Sequence, residues 1–375
     1  MALKQLSPAD VMLGKPLEQA VYNADGHLLL NKGSVLRDPG AKQKLLAMGH
    51  KEVVPGAAPV APAASTPRAE QLREPVFALV QHAAVTLNAM LVDQQADVHR
   101  DQFITRIRSL AGRLQAACLQ DPEAAIAAIH LFHEGEYALR HHLSVGVVSA
   151  LLAEADGRLD KAQQHSLICA ALTHDIGIYS LANHSGGLTE EKRREINQHP
   201  ITSCAILKDI GVDDELWLEA VLQHHERQDG SGYPLCLSGG AISLHGSLLA
   251  VADVYCAMTR PRPYRPKAYF PMAAMRDLYV GQSQQLDNAL IQKLIKALGL
   301  IPPGTIVKLK NGEIAVVKKR STNNAPQAYC LYNRQGMPMA SPDARNTALP
   351  DYAIQGRVDY DDCRNVEAAM RRIWA

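Results

Sequence analysis

The sequence predicts a mainly α protein: a helical bundle, with a small α+β module before it and a small β-rich segment after it. Three observations carry this expectation. Apolar residues recur at helical spacing through most of Glu70 to Leu300. A stretch of small residues with four prolines, Pro55-Gly-Ala-Ala-Pro-Val-Ala-Pro-Ala-Ala-Ser-Thr-Pro67, stands before them. From Pro302 the pattern shifts to short apolar runs around an Asn-Gly turn.

Residues 1–55 read as a module of their own. Alternating segments at Leu17 to Tyr22 and His27 to Leu30 flank the turn signal Asn23-Ala-Asp-Gly26. A short helix is expected around Lys42 to Met48, and Glu52 to Val54 could return as a strand. Residues 56–69 read as a linker, because proline among small residues neither continues a helix nor supplies a core. The spacing then predicts helices over Glu70–Gln95, Asp101–Leu119, Pro122–His133, Ala138–Ala155 and Lys161–Asp175. Further helices are expected over Thr189–Asn197, Pro200–Ile210, Glu215–Glu226, Ser243–Thr259, Pro271–Leu278 and Asn288–Leu298. Within 301–375, Gly304 to Gly312 and Glu313 to Val317 suggest two strands, and a short helix is expected near Val366 to Trp374.

The chain of 375 residues carries 39 Lys and Arg against 38 Asp and Glu, a net charge of +1. That balance argues against a partner that is a nucleic acid polymer or an anionic membrane. The longest near-apolar run, Val145 to Ala153, is far short of the roughly 20 residues of a membrane span. The opening Met1 to Pro8 lacks the apolar core of a signal peptide, so a cytoplasmic location is expected. Seven cysteines without a Cys-x-x-Cys pair indicate neither a disulfide framework nor a zinc ribbon.

Histidine is the informative residue: 11 of the 15 fall between His130 and His245. His174-Asp175 ends an apolar helix that Gly177 is expected to close. His224-His225 ends the helix that begins near Glu215, and shares the apolar stripe of Trp217, Leu218, Val221 and Leu222. Asp253 stands at a core position in Leu248-Leu-Ala-Val-Ala-Asp253, where a lone carboxylate would cost several kcal/mol without a cation or a good partner. His141, with His142 beside it, lies on the helix that continues through Val145. Imidazoles and carboxylates on separate core helices suit a site for two transition-metal ions. Two such ions can activate water for in-line attack on phosphorus. A His-Asp pair alone occurs by chance in many proteins; the order His, His-Asp, His, His-His, Asp is what weighs.

That order resembles the HD superfamily of metal-dependent phosphohydrolases. The run His224-His-Glu-Arg-Gln-Asp-Gly-Ser-Gly-Tyr-Pro234 narrows the resemblance to the HD-GYP family of cyclic di-GMP phosphodiesterases, and so to an HD-type helical bundle. Val251-Ala-Asp-Val254, Ala257-Met-Thr259 and Arg262-Pro-Tyr-Arg265 agree with it. The resemblance covers about residues 130–300 and implies metal ligands at His141, His174, Asp175, His199, His224, His225 and Asp253. Asp175 would bridge both ions, and the choice of His199, and of His141 over His142, rests on the resemblance alone. It implies Fe or Mn, with Ni, Co or Zn as further candidates, and His174 and Asp175 as catalytic. Tyr233, Gly232, Arg262 and Arg265 would meet the dinucleotide, which would open to linear pGpG or GMP. Tyr137 stands where three-metal members carry a glutamate, so two ions are expected. His199 precedes Pro200, a residue suited to the first turn of a helix.

The chain also departs from the family pattern. Ile178 replaces the lysine of His-Asp-Ile-Gly-Lys, a group whose loss would cost about 10²–10³ in rate. The segment from Ile178 to His199 is short of the usual length, His184 within it is an ordinary histidine or a substitute proton donor, and Ser247 and Cys256 replace a common arginine and aspartate. The leading expectation is a cyclic di-GMP phosphodiesterase. Its rivals are a cyclic-dinucleotide sensor that binds protein partners with little turnover, and a phosphodiesterase for cyclic GMP-AMP. A homodimer through the helices between Glu70 and Leu119 is a further expectation.

Overall fold

The computed structural model describes residues 3–7, 10–15, 17–24, 28–34, 36, 38–52, 74–95, 102–179, 189–261, 269–281, 284–321 and 325–374. The chain forms two compact units, Met1–Glu70 and Gln71–Ala375. The expected linker 56–69 lies outside the described residues.

In the first unit, strands β1 (Leu3–Gln5), β2 (Val21–Tyr22), β3 (Leu28–Leu30) and β4 (His50–Glu52) form an antiparallel sheet in the order β1-β4-β2-β3. Helix α1 (Pro39–Met48) starts where the Asp38 carboxylate accepts from the N–H groups of Gly40 and Ala41. Leu6, Val11, Leu17, Val21 and Leu45 make its small core.

The second unit is built around α5 (Tyr137–Asp156), a helix buried on nearly every side. Around it lie α2 (Val76–Gln95), α3 (Phe103–Gln120), α4 (Pro122–Leu131), α6 (Lys161–Thr173), α7 (Glu190–Ile210), α8 (Glu215–Gln223), α9 (Leu244–Thr259), α10 (Pro271–Gly281) and α11 (Asn288–Leu298). The helix starts are fixed by side-chain oxygens: Asp121 for α4, Thr189 for α7, Asp214 for α8 and Ser243 for α9. Asp160 and Gln163 form a reciprocal capping box at α6. Trp217 on α8 is fully buried and donates its indole N–H to Thr173 Oγ1 at 2.8 Å, which ties α8 to the end of α6.

Strands β5 (Ile306–Leu309), β6 (Ile314–Lys319), β7 (Gln327–Tyr332), β8 (Ala344–Asn346) and β9 (Ile354–Arg357) form an antiparallel sheet in the order β8-β7-β6-β5-β9. The sequence separates 301–375 from the helices by composition, yet the two share one core. Ile306, Val316 and Leu331 join the helical core, and Trp374, just after the short helix α12 (Glu367–Arg372), stacks on Phe77 of α2.

Two local expectations are corrected. Gly177 does not close α6 in the left-handed conformation; it lies in a 3₁₀ turn, Ile176–Ile178, and is absent from the positive-φ glycines. A Cβ there would stand 2.9 Å from Ser203 N, and the Gly177 N–H donates to Ser203 Oγ at 3.0 Å, so the glycine permits close approach to α7. Pro200 does not begin a helix either. Residues 190–210 are one continuous helix with the proline in its interior.

Asp156, at the end of α5, receives Arg158 Nη2 at 2.8 Å and Lys293 Nζ of α11 at 2.6 Å. Burial pushes its pKa up, but the two cations outweigh this and hold it down at about 2. The stabilisation is therefore complete above the unfolded-state pKa near 4 and is lost as pH falls through about 2. Asp156→Asn is expected to lower unfolding free energy at neutral pH by about 2 kcal/mol, with the difference shrinking toward the acid limit. Denaturant unfolding of both proteins across that range checks the size and the sign.

Candidate metal centre

Five helices each deliver part of one cluster. His141 comes from the first turns of α5, His174 and Asp175 from the turn ending α6, and His199 from the middle of α7. His224 and His225 follow the end of α8, and Asp253 lies on α9. Their ligand-type atoms gather in two groups, Asp175 with His199, His224 and His225, and His141 with His174 and Asp253, each within 4.8 Å internally. All seven residues singled out in the sequence thus meet in one place.

Asp175 joins the groups. Its Oδ1 lies 2.9 Å from His199 Nε2 and 3.5 Å from His224 Nε2, while Oδ2 lies 3.6 Å from His174 Nε2. Asp253 Oδ1 is 2.8 Å from His141 Nε2 and 3.9 Å from His174 Nε2.

Three of the rings are oriented by backbone carbonyls. His174 Nδ1 lies 2.8 Å from Ala171 O, His224 Nδ1 lies 2.7 Å from Val221 O, and His199 Nδ1 meets Ile196 O. A carbonyl only accepts, so in each neutral ring the proton sits on Nδ1 and the Nε2 lone pair faces the cluster. His199 Nε2 and His224 Nε2 then confront each other at 3.1 Å, with Asp175 Oδ1 beside both. Acceptors meet acceptors. Among the described residues His174 Nε2, which is buried, has no hydrogen-bond partner. Such an arrangement calls for protons or cations between the groups, and five imidazoles with two carboxylates fit divalent transition metals.

The ionisation states agree with that donor set. Burial raises the Asp175 pKa, but the adjoining His174 and His199 outweigh it and hold the carboxyl well below its usual range. Asp253 is likewise held far below the usual carboxylate range, burial being overcome by its bond to His141. Burial pushes His141, His224 and His225 down and keeps them neutral, the form that ligates. His199 is the exception: burial lowers it, yet Asp175 outweighs burial and raises it.

His142 turns away from Asp253, its Nδ1 donating to Ala138 O at 2.7 Å. Tyr137 stacks on the His141 ring, with centroids 5.4 Å apart and planes 14° from parallel. Ile178, half-buried, caps the turn by donating its N–H to Asp175 O at 3.0 Å. Arg262, Arg265 and His184 lie outside the described residues.

The loop after His225 folds back over the cluster. The Tyr233 N–H reaches His225 O at 3.2 Å and its ring lies 4.7 Å from the His225 ring. Gly232 is obligatory there, because a Cβ would meet Arg227 N at 2.4 Å and His225 O at 2.6 Å. One residue was missed in the sequence. Glu226 is 2% exposed and accepts from Leu235 N at 2.7 Å and Leu237 N at 2.8 Å, pinning the loop's return. Its position directly after the histidine pair, ahead of a glycine-rich turn, was the available signal.

Residues 123–290 match the model of the HD domain family. The chain is 29% identical to the cyclic di-GMP phosphodiesterase PA4108 of Pseudomonas aeruginosa, over 82% of this chain and 77% of that protein. It is 33% identical to the cyclic di-GMP phosphodiesterase response regulator RpfG of Xanthomonas campestris pv. campestris, over 40% of each chain. It is 34% identical to 3′3′-cGAMP-specific phosphodiesterase 1 of Vibrio cholerae, over 35% of this chain and 31% of that one. Among solved structures, Bd1817, an HDG"Y"P protein from Bdellovibrio bacteriovorus, shares the fold with a TM-score of 0.51 at 14% identity, over 79% of this chain and 99% of that one.

Glu226→Ala would strand two backbone N–H groups, at roughly 1–3 kcal/mol each. Amide hydrogen exchange at Leu235 and Leu237 is expected to accelerate at least tenfold, while that of α5 stays unchanged.

Proposed function

Because residues 123–290 of this chain are an HD domain and the chain belongs to the HD-GYP family, we propose that it hydrolyses cyclic di-GMP to linear pGpG, with GMP after a second cut. The observation that carries this reading is the convergence of seven His and Asp side chains, with His199 Nε2 and His224 Nε2 meeting acceptor to acceptor. His141, His174, Asp175, His199, His224, His225 and Asp253 would hold two divalent ions. The mixed imidazole and carboxylate donors suit iron or manganese, with nickel, cobalt or zinc as further candidates. When bound, two such ions polarise a phosphoryl oxygen and acidify a water for in-line attack.

The chain's own residues then have distinct tasks. Ala171, Ile196 and Val221 carbonyls hold the Nδ1 protons, so that three Nε2 lone pairs stay directed inward. Asp175, offering an oxygen to each group, would bridge, and His174 beside it completes the pair at the reacting centre. Tyr233 next to His225 supplies a ring face against which a guanine base could stack. Gly232 lets that loop close down, and Arg262 and Arg265 would take the phosphates in guanidinium forks. Attack on one phosphorus expels the 3′ oxygen and opens the ring. Among the described residues no helix is long and apolar enough to cross a membrane.

Ile178 supports a second reading, a cyclic-dinucleotide sensor with weak turnover. It adjoins the Asp175 turn and carries no charge where the family pattern has lysine.

Anaerobic assay of the iron- or manganese-loaded protein tests both. Linear product is expected from cyclic di-GMP in preference to cyclic GMP-AMP, and Asp175→Ala should lose bound metal and turnover together. Unchanged turnover in that variant contradicts the assignment. Ile178→Lys is expected to raise turnover, on the order of 10²-fold. Tight nucleotide binding without product in either protein favours the sensor.

A further inference from the structure

We propose that Pro200 is a positioning residue of the metal centre. Having no N–H, it releases the Ile196 carbonyl, which accepts from the Nδ1–H of His199 and turns the Nε2 lone pair into the cluster. The inference rests on the reading of His199 as a metal ligand.

In an α-helix the carbonyl of residue i is taken by the N–H of residue i+4. The three oriented histidines all place Nδ1 on the carbonyl three residues back: Ala171 for His174, Ile196 for His199 and Val221 for His224. Each of those carbonyls would ordinarily belong to the residue just after the histidine. At His174 and His224 this causes no conflict, since α6 ends at Thr173 and α8 at Gln223, and the last carbonyls of a helix have no backbone partner. His199 has no such end beside it. It sits inside α7, which runs on to Ile210. The residue whose N–H would claim Ile196 O is residue 200, and it is proline, the one residue with no N–H to give. The proline thus does inside a helix what a helix terminus does at the other two sites.

A residue with an N–H at 200 would compete with the imidazole for Ile196 O and weaken its hold on the Nδ1 proton. The neutral His199 ring would then gain by moving its proton to Nε2, which stands 3.1 Å from the accepting His224 Nε2 and can donate to it. That tautomer has no lone pair facing the cluster, and an incoming cation must first displace the proton. Proline in a helix interior is otherwise costly, so its presence beside His199 is explained by the site and not by the helix.

The test uses the full chain and Pro200→Ala. In metal-free protein with ¹⁵N-labelled histidine, at alkaline pH where the ring is neutral, His199 is expected to carry its proton on Nδ1 in the parent and mainly on Nε2 in the variant. Titration with Mn(II) should show affinity weakened at least tenfold. The metal-free variant should melt at the same or a higher temperature, since the helix regains a hydrogen bond. An unchanged tautomer and affinity would overturn the proposal. So would weaker binding that comes with a lower melting temperature, which would make Pro200 a fold element only. If the parent protein takes up no Mn(II), the metal reading fails, while the tautomer still decides the role of Pro200.

Discussion

Lone pairs directed at one another in a dry interior are the constraint on which the rest depends. Imidazole nitrogens and carboxylate oxygens from five helices gather in two groups, each within 4.8 Å internally, and three of the five rings commit their Nδ1 protons to backbone carbonyls on the far side. Buried acceptors without donors are unfavourable by several kcal/mol. Lone-pair donors concentrated so tightly suit positive charge at the cluster. The helical frame is the counterweight. α5 is buried almost throughout, Trp217 locks α8 to the end of α6, and Gly177 lets α7 approach the turn that carries Asp175.

Helix ends do much of the positioning. α6 and α8 stop one residue before a histidine of the cluster, leaving their last carbonyls free to orient the ring. The same economy shapes the loop over the cluster, where Glu226 satisfies two amides and Gly232 leaves no room for a side chain. The departures from the family pattern fall elsewhere. Ile178 lies beside Asp175 and outside the seven, so the departure there leaves the donor set complete.

Much of this was legible in the sequence, and the reasons are specific. The bundle helices show in their apolar spacing, and Asn288–Leu298 has the bounds the spacing predicts. The β5–β6 hairpin shows in its Asn-Gly turn. Asp253 is conspicuous because a carboxylate among Leu, Val and Ala has to be explained. His199 is different. It lies on a polar helix, and what buries it is the approach of α8, a long-range contact that no local pattern encodes. Strands β7, β8 and β9 also escape local reading, since their pairing partners are distant or their runs are short and polar. Gly177 and Pro200 mislead in the same way. The common roles of these residues are capping and starting helices, and here each serves a contact with another element.

The most direct test of the central claim is calorimetric titration of Mn(II) into the full-length, metal-free protein, with the bound metal counted afterwards. A buried set of facing lone pairs divided between two groups predicts two ions per chain, taken up with release of protons. Uptake of one ion, or none, would contradict it.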